Sequence, residues 1–173
     1  MRKPPHVIEI FLQPGEFYFG DENTRIRTLL GSCVSITMWH PTLRIGGMCH
    51  YMLPSRNRPH SGAPDGRYAD EAIELFLQEL RASGTSPADY EVKLFGGGDM
   101  FPQHKKRGGC ADVPCRNVGA GRELVKKHGF RIKAEDLGGC GHRNIIFDVW
   151  SGHVWVRQGQ EGARCQKGVP GKA

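Results

Sequence analysis

The sequence has no apolar run near the ~20 residues that a membrane-spanning helix requires, and its opening Met1-Arg2-Lys3-Pro4-Pro5-His6 leads into no secretory-type apolar stretch. A soluble, cytoplasmic protein with no membrane insertion is therefore the expectation. Phosphate-cradling loops are also missing: the run Gly96-Gly97-Gly98 has neither GxGxxG spacing nor a Gly-Lys-Ser/Thr ending, and reads as a tight turn. The net charge of +6 favours acidic partners. Yet the basic residues are scattered apart from His104-Lys105-Lys106-Arg107, and no aromatic-interleaved RNA motif or helix-turn-helix pattern accompanies them, so nucleic acid is not expected. With no internal repeat and no break in composition, 173 residues should form one domain.

Six cysteines are present, but no tight pairs of the kind structural zinc uses. Cys110 and Cys115 are spaced Cys-x4-Cys, Cys140 and Cys165 stand alone, and His104 or His142 would have to complete a set. No metal and no organic cofactor are expected. Without an export signal, reduced thiols are the default.

What is present is a series of short β-rich runs around two helical ones. Val7 to Leu12, Arg25 to Leu30 and Val34 to Trp39 read as strands, the last with Val34, Ile36 and Met38 alternating with Ser35 and Thr37. His40-Pro41-Thr42-Leu43 supplies a turn, and Ile45 to Leu53 the returning strand, with Gly46-Gly47 a bulge or point of close approach. Residues 54–67, with three prolines and two glycines, form a loop long enough to shape a site, through Arg56, Arg58 or Arg67. Ala69, Ala72, Ile73, Phe76, Leu77 and Leu80 recur at helical spacing, and a second helix is predicted from Asn117 to His128. Between them Tyr90 to Phe95 is a strand, followed by a loop over residues 99–114. Phe130 to Ala134, Ile145 to Trp150 and His153 to Arg157 are further strands, the last two joined at Ser151-Gly152 as a two-residue hairpin. The pattern predicts a single compact α/β domain over residues 1–157, with a mixed, largely antiparallel sheet and two main helices, and a flexible tail over 158–173.

One constellation carries chemistry. If the turn is centred between Pro41 and Thr42, paired residue numbers sum to 83 and Cys33 lies directly opposite His50, within about 4.5 to 5.5 Å at Cβ. A histidine that takes the thiol proton makes a thiolate-imidazolium pair and a nucleophile. Gly31 and Ser32 would let substrate approach, with nearby N–H groups available to an oxyanion. On residue type alone the blander reading outweighs this one, because free cysteine is among the residues most often buried. Cys49, adjacent to His50, should point to the opposite face and into the core.

Thr28-Leu29-Leu30-Gly31-Ser32-Cys33-Val34 and Gly46-Gly47-Met48-Cys49-His50-Tyr51-Met52-Leu53-Pro54 resemble the signature of the chemoreceptor glutamine deamidases, the CheD family. Tyr68-Ala69-Asp70, Lys93 to Met100, Asn117-Val118-Gly119 and Gly138-Gly139 to Asp148 follow in family order. The resemblance implies a layered α/β fold and a cofactor-free enzyme that converts glutamines of methyl-accepting chemotaxis receptors to glutamate, releasing ammonia. It places the catalytic cysteine and histidine on Cys33 and His50, a third catalytic residue on Thr28, and makes the CheC phosphatase a partner. Two other readings stay open: a different thiol chemistry (peptidase, amidase or transglutaminase-like), and a non-catalytic adaptor that binds receptor or phosphatase.

Overall fold

In the computed structural model, which describes residues 1–59, 61–102 and 112–159, the alternation in Thr24–Leu30 (β3) turns Thr24, Ile26, Thr28 and Leu30 inward and leaves Arg25, Arg27 and Leu29 on the other face. This strand pairs in parallel with Ile8–Leu12 (β1) and antiparallel with Arg143–Asp148 (β8), and His153–Gln158 (β9) completes a four-stranded sheet in the order β1-β3-β8-β9. The second sheet has five strands. Phe17–Gly20 (β2), Ile45–Cys49 (β5), Val34–His40 (β4), Glu91–Gly96 (β6) and Arg131–Leu137 (β7) follow one another across it, antiparallel except for β6 with β7.

Strand β4 is covered on both faces, which is why it is almost continuously buried. Val34, Ile36 and Met38 pack with Ala72, Ile73 and Phe76 of Ala69–Ala82 (α1) and Val125 of Val113–Lys127 (α2). On the other side Trp39, Met48 and Phe95 meet Ile26, Leu30 and Phe147 of the four-stranded sheet. The result is three layers: two helices, a five-stranded sheet and a four-stranded sheet. Trp39 also donates its indole N–H to the Val149 carbonyl at 2.7 Å, joining the sheets at one end.

The two helices and the mixed, mostly antiparallel pairing agree with the sequence reading, with the pairing divided between two sheets. Strand β2 has no counterpart in that reading, because four residues after a Pro-Gly turn are too few to display a period. Helix α2 starts four residues earlier than the predicted Asn117. Asp112 caps it by accepting from the Cys115 N–H at 3.2 Å, and Pro114 in the first turn, which reads as a breaker, is tolerated there because that N–H has no helical acceptor. The hairpin of β8 and β9 closes from Asp148 to His153, so its loop is four residues rather than two. Strand β9 extends to Gln158, and the rest of the predicted tail, residues 160–173, falls outside the described residues, as do His104-Lys105-Lys106-Arg107, Cys110 and Cys165.

Cys115 and Cys140 each take part in a disulfide, against the expectation of reduced thiols, while Cys33 and Cys49 are free. The expectation rested on compartment alone, and sequence spacing carries no information about which thiols lie close together. No group of three or more side chains able to hold a metal occurs among the described residues, and no described helix is long and apolar enough to cross a membrane.

Phe76, fully buried and edge-on to Phe17 with ring centroids 4.8 Å apart, sits where α1 meets the five-stranded sheet. Phe76→Ala should lower the unfolding free energy by about 3 to 5 kcal/mol in urea titrations, with little change in the slope.

Candidate active site

The β4–β5 hairpin has a four-residue turn, Pro41 to Arg44, with Arg44 in the left-handed region at φ 52. Paired residue numbers therefore sum to 85: His40 faces Ile45, Thr37 faces Met48, and Val34 bridges Tyr51. The predicted register of 83 is off by two. It assumed a two-residue turn, and it would set Cys33 directly opposite His50. In the observed register Cys33 and His50 instead flank the Val34–Tyr51 pair diagonally. A shift of two preserves the face, so both side chains still project away from the helices, and the diagonal separation of about 7 to 8 Å remains within side-chain reach.

The four-stranded sheet supplies the third group. Thr28, on the inward face of β3, lies 2.7 Å from His50 Nδ1 through its Oγ1, which also donates to the Leu12 carbonyl at 2.9 Å. A threonine has one hydroxyl proton, and a carbonyl oxygen can only accept. With that proton on Leu12, His50 must donate from Nδ1, which leaves Nε2 as the unprotonated nitrogen. Nε2 is buried and has no hydrogen-bond partner among the described residues. His50 is itself fixed by its backbone, which donates to the Glu16 carbonyl at 3.0 Å and accepts from Gly15 N–H at 2.7 Å.

Cys33 is partly buried against the cluster between the sheets. Burial pushes its thiol above the usual range, partly offset by a hydrogen bond from the Ser32 side chain. Burial also pushes His50 down to about 4, against a smaller opposing pull from Glu16. Both shifts favour neutral thiol and imidazole over the thiolate-imidazolium pair. Cys49 points into the helix-side core, as alternation predicted, and burial pushes its thiol up to about 12.

The Gly96-Gly97-Gly98 turn braces this segment. Gly97 N–H donates to the Cys33 carbonyl at 2.8 Å and Gly98 N–H to the Gly31 carbonyl at 2.9 Å. Gly96 has φ +109, and a Cβ there would collide with the Cys33 carbonyl oxygen, so glycine is required for this approach. Met100 packs over Gly31 from the same turn. By contrast, the Ser32 and Cys33 N–H groups have no hydrogen-bond acceptor among the described residues.

The loop of residues 54–67 is less open to substrate than its composition suggested. Arg56 makes a two-pronged ion pair with buried Glu71, at 2.6 and 2.7 Å, and Arg67 pairs with Asp65. Arg58 is exposed and, alone of the three predicted arginines, has no such pair among the described residues.

The model of the family described as CheD chemotactic sensory transduction matches residues 52–158. A probable chemoreceptor glutamine deamidase CheD from Pseudomonas savastanoi pv. phaseolicola is 55% identical over 157 residues, covering 91% of this chain and 88% of its own. The chain belongs to the CheD family. A second CheD relative, probable chemoreceptor glutamine deamidase CheD 3 of Dechloromonas aromatica, is 54% identical, with 88% of this chain and 89% of its own covered. Among solved structures, the Bacillus licheniformis hypothetical protein YfiH aligns at TM-score 0.47 and 13% identity, over 69% of this chain and 49% of that one. Within this CheD chain Thr28 and His50 meet from two sheets, and Cys33 lies on the same hairpin face as His50, an arrangement that no local sequence window displays.

Two outcomes follow from the electrostatics. Unfolded histidine takes up its proton below its ordinary value of 6.5, whereas folded His50 does so only near 4, so the unfolded state binds more protons between those values. Stability contributed by His50 is thus complete above pH 6.5 and lost as pH falls toward 4, by up to roughly 3 kcal/mol. The difference in urea-unfolding free energy between wild type and His50→Gln should change with this slope. Alkylation of Cys33 by iodoacetamide should climb steadily with pH through the thiol range. A flat, fast rate at pH 5 to 6 would instead reveal a preformed ion pair.

Proposed function

We propose that this chain is a protein-glutamine deamidase that converts glutamines of methyl-accepting chemotaxis receptors to glutamate, with Cys33 as nucleophile, His50 as proton carrier and Thr28 as the residue that orients it. The observation that supports this most is the division of labour on His50. Its Nδ1 is occupied by Thr28, its Nε2 has no partner among the described residues, and the residue lies on the hairpin face that carries Cys33.

In this scheme Cys33 Sγ attacks the side-chain carbonyl carbon of glutamine as its proton passes to His50 Nε2. Starting from neutral groups, the proton moves only when a substrate is in place to receive the sulfur. The N–H groups of Ser32 and Cys33, without acceptors among the described residues, are available to the oxyanion beside Gly31, whose missing side chain leaves room for Met100; losing one such donor typically costs roughly 100- to 1,000-fold in turnover. The imidazolium then protonates the departing nitrogen, ammonia leaves, and a thioester remains. Water adds to the thioester with its proton going to Nε2, glutamate departs, and the sulfur recovers the proton. One water is consumed and one ammonia released per site.

The same proposal places the protein in the cytoplasm with the receptors' signalling segments as substrates and the CheC phosphatase as a binding partner. Co-elution with purified CheC tests the second point. For the chemistry, wild type incubated with a purified chemoreceptor cytoplasmic fragment should release ammonia and convert glutamine to glutamate, read by mass spectrometry. Cys33→Ala and His50→Ala should be nearly silent while retaining the wild-type circular dichroism spectrum. A wild type that binds the fragment and leaves it unchanged would be an adaptor, and peptide cleavage or amine incorporation would indicate a different thiol chemistry.

A further inference from the structure

The β4–β5 ladder stops at the candidate nucleophile. Val34 and Tyr51 exchange both backbone hydrogen bonds, N–H of Val34 to O of Tyr51 at 3.1 Å and the reverse at 3.0 Å. In an antiparallel ladder the next such pair lies two residues out, at Ser32 and Leu53. It is not made. Leu53 N–H, together with that of Met52, donates to the Arg67 carbonyl at 3.1 and 2.9 Å, so the returning strand turns away toward the loop.

One side chain fills the resulting fork. Asn117, five residues into α2 and fully buried, donates from Nδ2 to the Ser32 carbonyl at 3.2 Å and to the Met52 carbonyl at 2.7 Å. Both acceptors are carbonyl oxygens, so the amide can be oriented only with its nitrogen toward them. The Asn117 backbone carbonyl meanwhile accepts from the Tyr51 hydroxyl at 2.6 Å, which fixes the helix against the last closed rung. Ser32 immediately precedes Cys33, and Met52 lies two residues after His50. Asn117 therefore sets the separation of the two chain segments that carry the reacting pair.

We infer that Asn117 is a positioning residue: its carboxamide acts as a surrogate rung that holds the hairpin open at Cys33. Were the ladder to close instead, residue 32 would exchange backbone hydrogen bonds with Leu53 and its N–H would be lost to the oxyanion. The fork keeps that donor free and keeps Cys33 on the diagonal from His50. This inference rests on the deamidase reading for its role in turnover, though the geometry stands without it.

The test is a double-mutant cycle between Asn117→Ala and His50→Ala, read in two ways: ammonia release from the receptor fragment, and iodoacetamide alkylation of Cys33, which needs no receptor. Asn117→Ala should lower kcat roughly 10- to 100-fold, the scale of an ångström-sized misplacement, with KM within about twofold of wild type. In the alkylation cycle Asn117→Ala should remove the rate dependence on His50, so that the double variant alkylates no more slowly than His50→Ala alone. Multiplying effects, or a loss confined to KM, would overturn the inference. Asn117→Asp keeps the volume and the Tyr51 bond but has no N–H to give, and should behave like the alanine variant. If neither variant folds, the wild-type protein decides: the Asn117 carboxamide protons should resist solvent exchange and shift when Cys33 is alkylated, and fast exchange with no shift refutes the role. A wild type that releases no ammonia removes the deamidase reading alone, because the alkylation cycle still reports on Asn117.

Discussion

The hydrogen bond between Thr28 and His50 is the constraint on which the candidate site depends, because it is where the two sheets become one chemical unit. Thr28 belongs to the four-stranded sheet and His50 to the end of the five-stranded one. Apolar packing of Ile26, Leu30, Met48 and Phe147 brings the layers together without specifying a proton. The hydroxyl adds direction. By giving its own proton to Leu12, Thr28 dictates the histidine tautomer, and the tautomer leaves Nε2 as the ring nitrogen able to accept a proton.

Much of this was legible in the sequence, and the parts that were not share a physical cause. The alternation in β3 and β4 and the apolar spacing of α1 report burial on one face, a local property that a period reveals. The hairpin register is not readable from strand pattern because turn length sets it, and Arg44 in a left-handed conformation has no compositional mark. Cys33 and His50 were still placed on one face because an even shift leaves faces unchanged. Asn117 has no role readable from its place in the Asn117-Val118-Gly119 motif. Its partners are two backbone carbonyls far away in sequence, and main-chain acceptors leave no trace in residue type.

Burial has a double effect at the site. It suppresses charge on both Cys33 and His50, which makes the thiol a poor nucleophile until a substrate arrives, and it strengthens every hydrogen bond offered to developing charge. A neutral resting pair also spares the protein the cost of separating ions in a low-dielectric space. The brace from Gly97 and Gly98 and the fork held by Asn117 act on the same segment from opposite sides, so its backbone is fixed before any charge develops.

The contrast between the two free cysteines gives the molecule an unplanned analytical property. Cys49, sealed in the helix-side core with its thiol pushed up to about 12, is closed to electrophiles while the fold persists, whereas Cys33 lies at the open end of the hairpin. Among the described free thiols, one is addressable in the native state and the other only after unfolding. A single thiol-reactive dye therefore distinguishes folded from unfolded molecules by stoichiometry, without any assay of turnover.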